Sequence, residues 1–530
     1  MKSVGVAKTF GMTPENISTV LRNFENILGR DNIITDSDAV AAETKNTLGL
    51  KREVLAVLYP GSVEEVVGVV KIANQHAAPL YPVSRGMNIG YGEKLPVEDR
   101  QIIVDLSRMK KIREFNDQVG YVIVEPGVTQ KQLYEFLVEN DAGYWMDATG
   151  AGLDSSIIGN TLEGGFGHTP RGNRRDTVSD FEVVMGSGSV LRTGTFPGLG
   201  PDISGLFIQS NFGIVTAARM ELFPVPEHFE SFVVTVSDDS GLERLIDELR
   251  KLRQSGTITS LVHIGNAVRS LMTTVDFPEG YDKTIISADT ARQLLSTRFL
   301  KTGLWNAVGG LYGTRREVKA KKSALKNSVG KHFRIRFFSD FKLRSVKRLT
   351  ESRLIDKLIN TAGIRKNLES FEHVYGLLKG IPTDTALNNI KWRVDHEDQL
   401  GLIWYSPSVT AVGQNVRRTL SIAEELFRKW SFELPITVTL VEPEKVVMVI
   451  SIHFNLHIPD EKERAMKLYN ELKENMTAAG IFPYRSSILD MEAISHNETG
   501  KMKVFSELKK TLDPNNICAP GRYGLGRRKL

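Results

Sequence analysis

Residues 84–95 read SRGMNIGYGEKL and follow directly on the apolar run APLYPVS. That run has the length and residue types of a strand, so the loop opens at a strand end. Gly86, Gly90 and Gly92 let the backbone pass close to a partner, because no Cβ holds it away. Backbone N–H groups freed in such a loop form a concave anion site. Two further segments behave alike, VEPGVT at 124–129 and GAGLDSSIIGNTLEGGFGHTPRG at 150–172. None is followed by the Gly-Lys-Ser/Thr of a nucleotide phosphate loop, and none joins a strand, G-x-G-x-x-G and an immediate helix. Three such loops in succession point to one large phosphate-bearing cofactor.

Working outward, 530 residues exceed a single core and predict more than one domain. From about Lys51, short strands alternate with helices. Ser62 and Glu65 have the spacing of a capping box, and FEVVMGSGSVLRTG reads as a hairpin turning at Gly186 to Gly188. After Pro226 longer charged helices such as GLERLIDELRKLR alternate with strands such as ITVTLVE and VVMVISIHF. This texture predicts an α+β protein whose second domain is an antiparallel sheet flanked by helices. The expected division is 1–226, 227–480, and a segment 481–530 that returns to the first domain.

The net charge is +5, with a basic run between Arg315 and Lys347 and a basic end, GRRKL. Such a run reads first as solvated helix faces and second as a docking face for an acidic partner. No nucleic-acid motif accompanies it. The single cysteine, Cys518, excludes an intrachain disulfide and a cysteine-based zinc site. His453 and His457 lie on an inferred strand, where a spacing of four does not favour a metal pair, and no metal is expected. The start, MKSVGVAKTFGMTPENI, has no long apolar core, and no apolar run reaches a membrane span. The expectation is a cytoplasmic enzyme with a small-molecule substrate, without nucleic-acid or membrane partners.

YPVSRGMNIGYG, YVIVEPGVT, SIIGNTLEGGFGHTPRG, GLFIQSNFGIVT and DPNNICAPGRYG stand in one order along the chain. In that order and spacing they resemble the vanillyl-alcohol oxidase/p-cresol methylhydroxylase flavoprotein family. The resemblance implies that family's two-domain FAD-binding fold, with an antiparallel-sheet cap domain over the substrate. It implies that Ser84, Arg85, Gly86, Met87, Asn88, Ile89, Gly90 and Tyr91 wrap the FAD pyrophosphate. Ile157, Gly159, Asn160, Gly164, Gly165, Gly167 and His168 would line the cofactor's other side. Pro126 and Gly127 would approach the adenine, Gly213, Ile214 and Val215 would hold the ADP end, and Arg522 would also meet the cofactor. In the family's 4-alkylphenol branch the loop tyrosine and a C-terminal Tyr-Arg pair bind the phenolate, here Tyr91, Tyr484 and Arg485. The resemblance further implies a homo-oligomer and leaves an electron-acceptor protein, oxygen or a quinone open as the oxidant.

Taken singly, Tyr91 reads as a packed loop tyrosine, Tyr484-Arg485 as a surface dipeptide, and His168 as a hydrogen-bonded structural histidine or a base. Some positions depart from the family. Where its phenol oxidases carry an Asp, alignment on Gly159-Asn160 places Ala151, with Asp147 and Asp154 out of register; Glu93 replaces a second glycine after Gly92. Alignment on Ser406-Pro407 puts Leu402 where many relatives bond the flavin through histidine, so the FAD is expected to be noncovalent. Tyr405, at an odd offset on a strand, should face away. Cys518 is expected to pack elsewhere. Two other readings stay open: an oxidase or dehydrogenase of a 2-hydroxy acid or sugar, using Arg393 and His396, and an inactive flavin-binding subunit.

Overall fold

The computed structural model describes residues 14–194, 200–274, 277, 285–296, 302–351, 362–491 and 499–527. Most of the N-terminal stretch read above and the last three residues lie outside the described residues.

Strands Val54–Leu58, Gln101–Asp105 and Leu80–Val83 pair in parallel, and the short strand Ile33–Ile34 joins antiparallel. The crossover between the first and third of these is helix Val63–His76. Ser62 accepts the Glu65 N–H at 3.2 Å. Only half of the expected capping box forms, because the Glu65 carboxylate reaches one residue further back, to the N–H of Gly61 at 2.7 Å. The donor satisfied differs, but a free N–H at the helix start is still paired. Alternation sorts the strands: Ala56, Leu58, Ile102 and Val104 pack on the helix, while Val57 and Ile103 meet Val40 on the other face.

Strands 112–116, 121–124, 213–221, 178–185 and 190–192 form a second, antiparallel sheet in that spatial order. Its last two strands are the expected hairpin, turning at residues 186–189. The third large sheet holds nine antiparallel strands, all of them after Pro226. Helices Gly241–Gln254, Arg315–Asn327, Gly413–Lys429 and Pro459–Ala478 cover one face of it with a continuous apolar core. The register sets Val308, His263 and Thr439 side by side across three strands. Alternation turns these three away from the helices, so they form a wall.

The tail crosses back to the parallel sheet. The Leu80 N–H donates to the Ile517 carbonyl, and the Ala519 N–H to the Leu80 carbonyl, both at 2.7 Å. Buried Lys509 pins the turn by donating to Asp513 Oδ2 at 2.7 Å and to the carbonyls of Asn211 and Cys518 at 2.6 Å each.

Candidate active site

Where the sheets meet lies a cavity of about 520 Å³. One wall is the loop that opened the sequence reading. The N–H groups of Arg85, Gly86, Met87, Asn88 and Ile89 donate to no protein group among the described residues. The loop is fixed from behind instead: the Gly90 N–H donates to Thr47 Oγ1 at 2.9 Å, and the N–H groups of Tyr91 and Glu93 to the Asn88 carbonyl. At Gly90 φ is +77°, and a Cβ there would stand 2.2 Å from Trp404 Cδ1, so only glycine fits. Ser155, Ser156, Gly159, Asn160 and Asn211 also line the cavity. Asn160 Oδ1 and Asn211 Oδ1 are buried with no protein partner, although such groups are nearly always paired in a folded protein. A run of free donors together with unpaired polar atoms in one cavity suits an extended, polar, phosphate-bearing ligand.

Tyr91, Tyr484 and Arg485 reach the same cavity. The Arg485 guanidinium carbon lies 4.0 Å from the centre of the Tyr91 ring, and its Nη2 donates to Asn88 Oδ1. The Tyr91 hydroxyl lies 3.1 Å from Ser406 Oγ; with Ser406 as donor, the Tyr91 proton is left for an oxygen in the cavity. The Tyr484 ring packs on Phe166 at 5.5 Å. Beneath the trio is a carboxylate. Glu163 pairs with Arg522, accepts from the Tyr523 hydroxyl, and lies 3.7 Å from Arg485 Nε. Burial alone would lower the Arg485 pKa, but Glu163 and the tyrosines outweigh it and hold the guanidinium protonated. Burial would raise the Glu163 pKa, but Arg522 and Arg485 hold it below the ordinary range. Two arginines against one carboxylate leave one positive charge facing the cavity. Tyr91 is pushed up by burial and by Tyr484, so it stays a neutral donor.

An FAD binding domain family matches residues 54–194. Along nearly the whole chain the protein is similar to the 1'-carboxy-chondrochloren decarboxylase of Chondromyces crocatus, at 30% identity over 97% of this chain and 98% of that one. It is 28% identical to the 4-cresol dehydrogenase [hydroxylating] flavoprotein subunit of Pseudomonas putida, over 97% of each chain. The fold superposes on a crystal structure of p-cresol methylhydroxylase with substrate bound at a TM-score of 0.86, with 27% identity and 98% of each chain covered. The chain belongs to the vanillyl-alcohol oxidase/p-cresol methylhydroxylase family. It is an FAD-linked oxidoreductase with that family's α+β fold and antiparallel cap.

The free N–H groups, the orphaned asparagine oxygens and the glycine-lined approach fit the FAD of this family. Of the residues expected at the cofactor, Ser84 to Ile89, Tyr91, Gly159, Asn160, Gly165, His168, Gly213, Val215 and Arg522 line the cavity. Gly90, Pro126, Gly127, Ile157, Gly164, Gly167 and Ile214 stand behind its wall, for reasons visible in their packing. Gly127 is pressed on the carbonyls of Ser107 and Met109, where a Cβ would be 2.5 and 2.6 Å away. The carbonyl of Pro126 accepts from Ser156 Oγ at 2.6 Å. Ile157 and Ile214 are core residues, and Gly164 and Gly167 make room for Arg175 and for the Asp147 carboxylate.

Ala151, the residue that alignment sets where the family's phenol oxidases carry an aspartate, lines the cavity. Asp147 is a buried hub that accepts from the N–H groups of His168 and Thr169 and pairs with Arg174 at 3.4 Å. Asp154 is exposed. What the wall carries instead is a stacked pair, His168 and His263, with ring centres 4.1 Å apart. His168 Nδ1 faces the Ala148 carbonyl at 3.1 Å. A carbonyl only accepts, so Nδ1 holds the proton of the neutral ring and Nε2 is its acceptor. Burial lowers the pKa of both rings.

Leu402 and Trp404 belong to the apolar cluster beside Ile89, whereas Tyr405 sits in the helix-covered core with its ring 5.9 Å from Tyr469. Cys518 corrects an expectation, since it borders the cavity. Burial and Asp513 push its thiol well above the usual range, leaving little thiolate. Arg393 and His396 do not line the cavity. Arg393 is held by both oxygens of Glu433, and His396 is exposed. Glu163, Ser406, His263 and Arg269 were missed: Glu163 and Ser406 lie in segments that served only for alignment, and no local motif marks His263 or Arg269.

Proposed function

We propose that the protein removes a hydride from the benzylic carbon of a para-substituted phenol bound as its phenolate. The observation that carries this reading is the net positive charge of Arg485 and Arg522 against Glu163, placed beside two tyrosine hydroxyls. A free phenol has a pKa of about 10; a guanidinium and two hydroxyl donors at its oxygen favour the anion. The anion pushes electron density to the para carbon, and loss of hydride leaves a neutral quinone methide open to water. FAD, when bound, supplies the two-electron acceptor. His168 Nε2 takes the proton of the attacking water, in the place of the missing aspartate. The cofactor is held noncovalently, since Leu402 offers no linking atom. We place the enzyme in the cytoplasm as a homo-oligomer that passes electrons to a protein with an acidic face.

A second reading keeps the phenol site but has the substrate lose a carboxyl group. The decarboxylase relative supports it, and so does Ala151, which removes a negative charge from the wall a carboxylate would meet.

Replacing Arg485 by Ala tests the phenolate role. A hydrogen bond to a charged group contributes about 1.5–3 kcal/mol, so anaerobic flavin reduction by 4-alkylphenols should slow at least about tenfold. Reduction at the wild-type rate would refute the assignment.

A further inference from the structure

Arg269 stands in the first turn of helix Ala267–Thr274 and points into the cavity from the cap. Its Nη1 donates to Asn389 Oδ1 at 3.0 Å, and its guanidinium carbon lies 5.4 Å from the centre of the Trp404 ring. No acidic side chain among the described residues pairs with it. The acids on neighbouring segments are engaged elsewhere: Glu433 with Arg393, Asp384 with the Leu153 N–H, and Glu397 with Lys391. His453 behind it is kept neutral, its pKa pulled down to about 3 by burial and then by Arg269. Burial also lowers Arg269, to about 10, which leaves it a cation near pH 7. An unpaired cation in such surroundings is costly, and a ligand that brings the opposite charge removes the cost. Arg485 and Arg522, by contrast, already share Glu163.

The path to Arg269 is open. Along strand Val262–Asn266, His263 and Gly265 line the cavity on the same face, two residues apart. That is about 7 Å of strand. Gly265 brings no side chain into it, and a Cβ there would meet Arg269 Cγ only at 3.9 Å. We infer that Arg269 pairs with an anionic oxygen of the ligand, and that the substrate of the phenol site carries a carboxylate at the far end of its para substituent. This rests on the proposed phenol reading. The same chemistry has a second source, the FAD phosphates. The free N–H groups of Arg85 to Ile89 already supply donors to those, which leaves Arg269 for the substrate.

The test uses the holoenzyme, mixed anaerobically with 4-hydroxyphenylacetate, -propionate, -butyrate and -valerate and with 4-alkylphenols of matching length. Dissociation constants come from the change in flavin spectrum that precedes reduction. At one chain length the carboxylate should bind at least tenfold tighter than the alkylphenol. Arg269→Met should cut that preference below twofold by weakening the carboxylate more than the alkylphenol, with FAD still retained on gel filtration; Arg269→Lys should keep part of the preference. No preference at any length in the wild type would overturn the inference. So would loss of FAD from Arg269→Met with both ligand classes weakened alike, which assigns the anion to the cofactor. If alkanoates without a hydroxyl bind and phenols of neither class do, the phenol reading fails while the anion site stands.

Discussion

Glu163 shows how much of this site depends on a single side chain. In the sequence it is one acid inside a glycine-rich run, with nothing to announce that two arginines more than three hundred residues away converge on it. Removing it leaves both guanidinium groups buried without a counter-charge. Glu163→Gln should therefore lower stability by about 3 kcal/mol, read from denaturant unfolding; a change below about 0.5 kcal/mol would contradict the network. Glu93 offers a test with a pH sign. It replaces a glycine at φ +45°, its Oε1 accepts from the Thr47 N–H and hydroxyl, and burial pushes its carboxyl up to about 7. A raised carboxyl pKa adds stability while the group is protonated in the fold. That contribution is full below the unfolded value of 4.5 and is lost as pH rises towards 7. Glu93→Gln should thus flatten the fall in melting temperature between pH 5 and 8, and an unchanged slope would count against this assignment.

The strand Leu400–Tyr405 shows what alternation can and cannot reveal. Period-two reasoning correctly turned Tyr405 away from Leu402, because an odd offset reverses the face. It could not foresee that Trp404, two residues on, would close against Gly90, since that contact joins segments far apart in the chain. The three glycine loops were legible for the opposite reason: each carries its backbone freedom locally. Even there, glycines that face the ligand could not be told from those that face the protein, as Gly127 and Gly167 illustrate. With Leu402 at the linking position, acid precipitation of the holoprotein should leave the yellow colour in the supernatant. A yellow pellet, or an intact mass raised by one FAD, would show a covalent bond, and Tyr405→Phe would then be the first variant to make.

Taken as a whole, the protein places its donors for a cofactor on one set of sheets and the walls of its substrate chamber on another. The first set was readable because five motifs keep their order and spacing. The cap was readable only as antiparallel sheet and helices, so His263, set by the strand register, and Arg269, set by the helix that follows, were invisible in the sequence. Lys509, Asp513 and the turn at Ile517 to Ala519 carry the tail back to the parallel sheet, and this return sets Arg522 and Tyr523 beside Glu163. The basic helix Arg315–Asn327 is mostly exposed, but Lys322 is paired with Glu230 and Lys321 bonds the Tyr312 carbonyl, so part of its charge serves the fold. One experiment meets the chemistry of the chamber directly. Holoenzyme is mixed without oxygen with 4-alkylphenols, 2-hydroxy acids and sugars while flavin absorbance is followed. We predict bleaching by the phenols alone, and bleaching by hydroxy acids or sugars with the phenols inert would contradict the account.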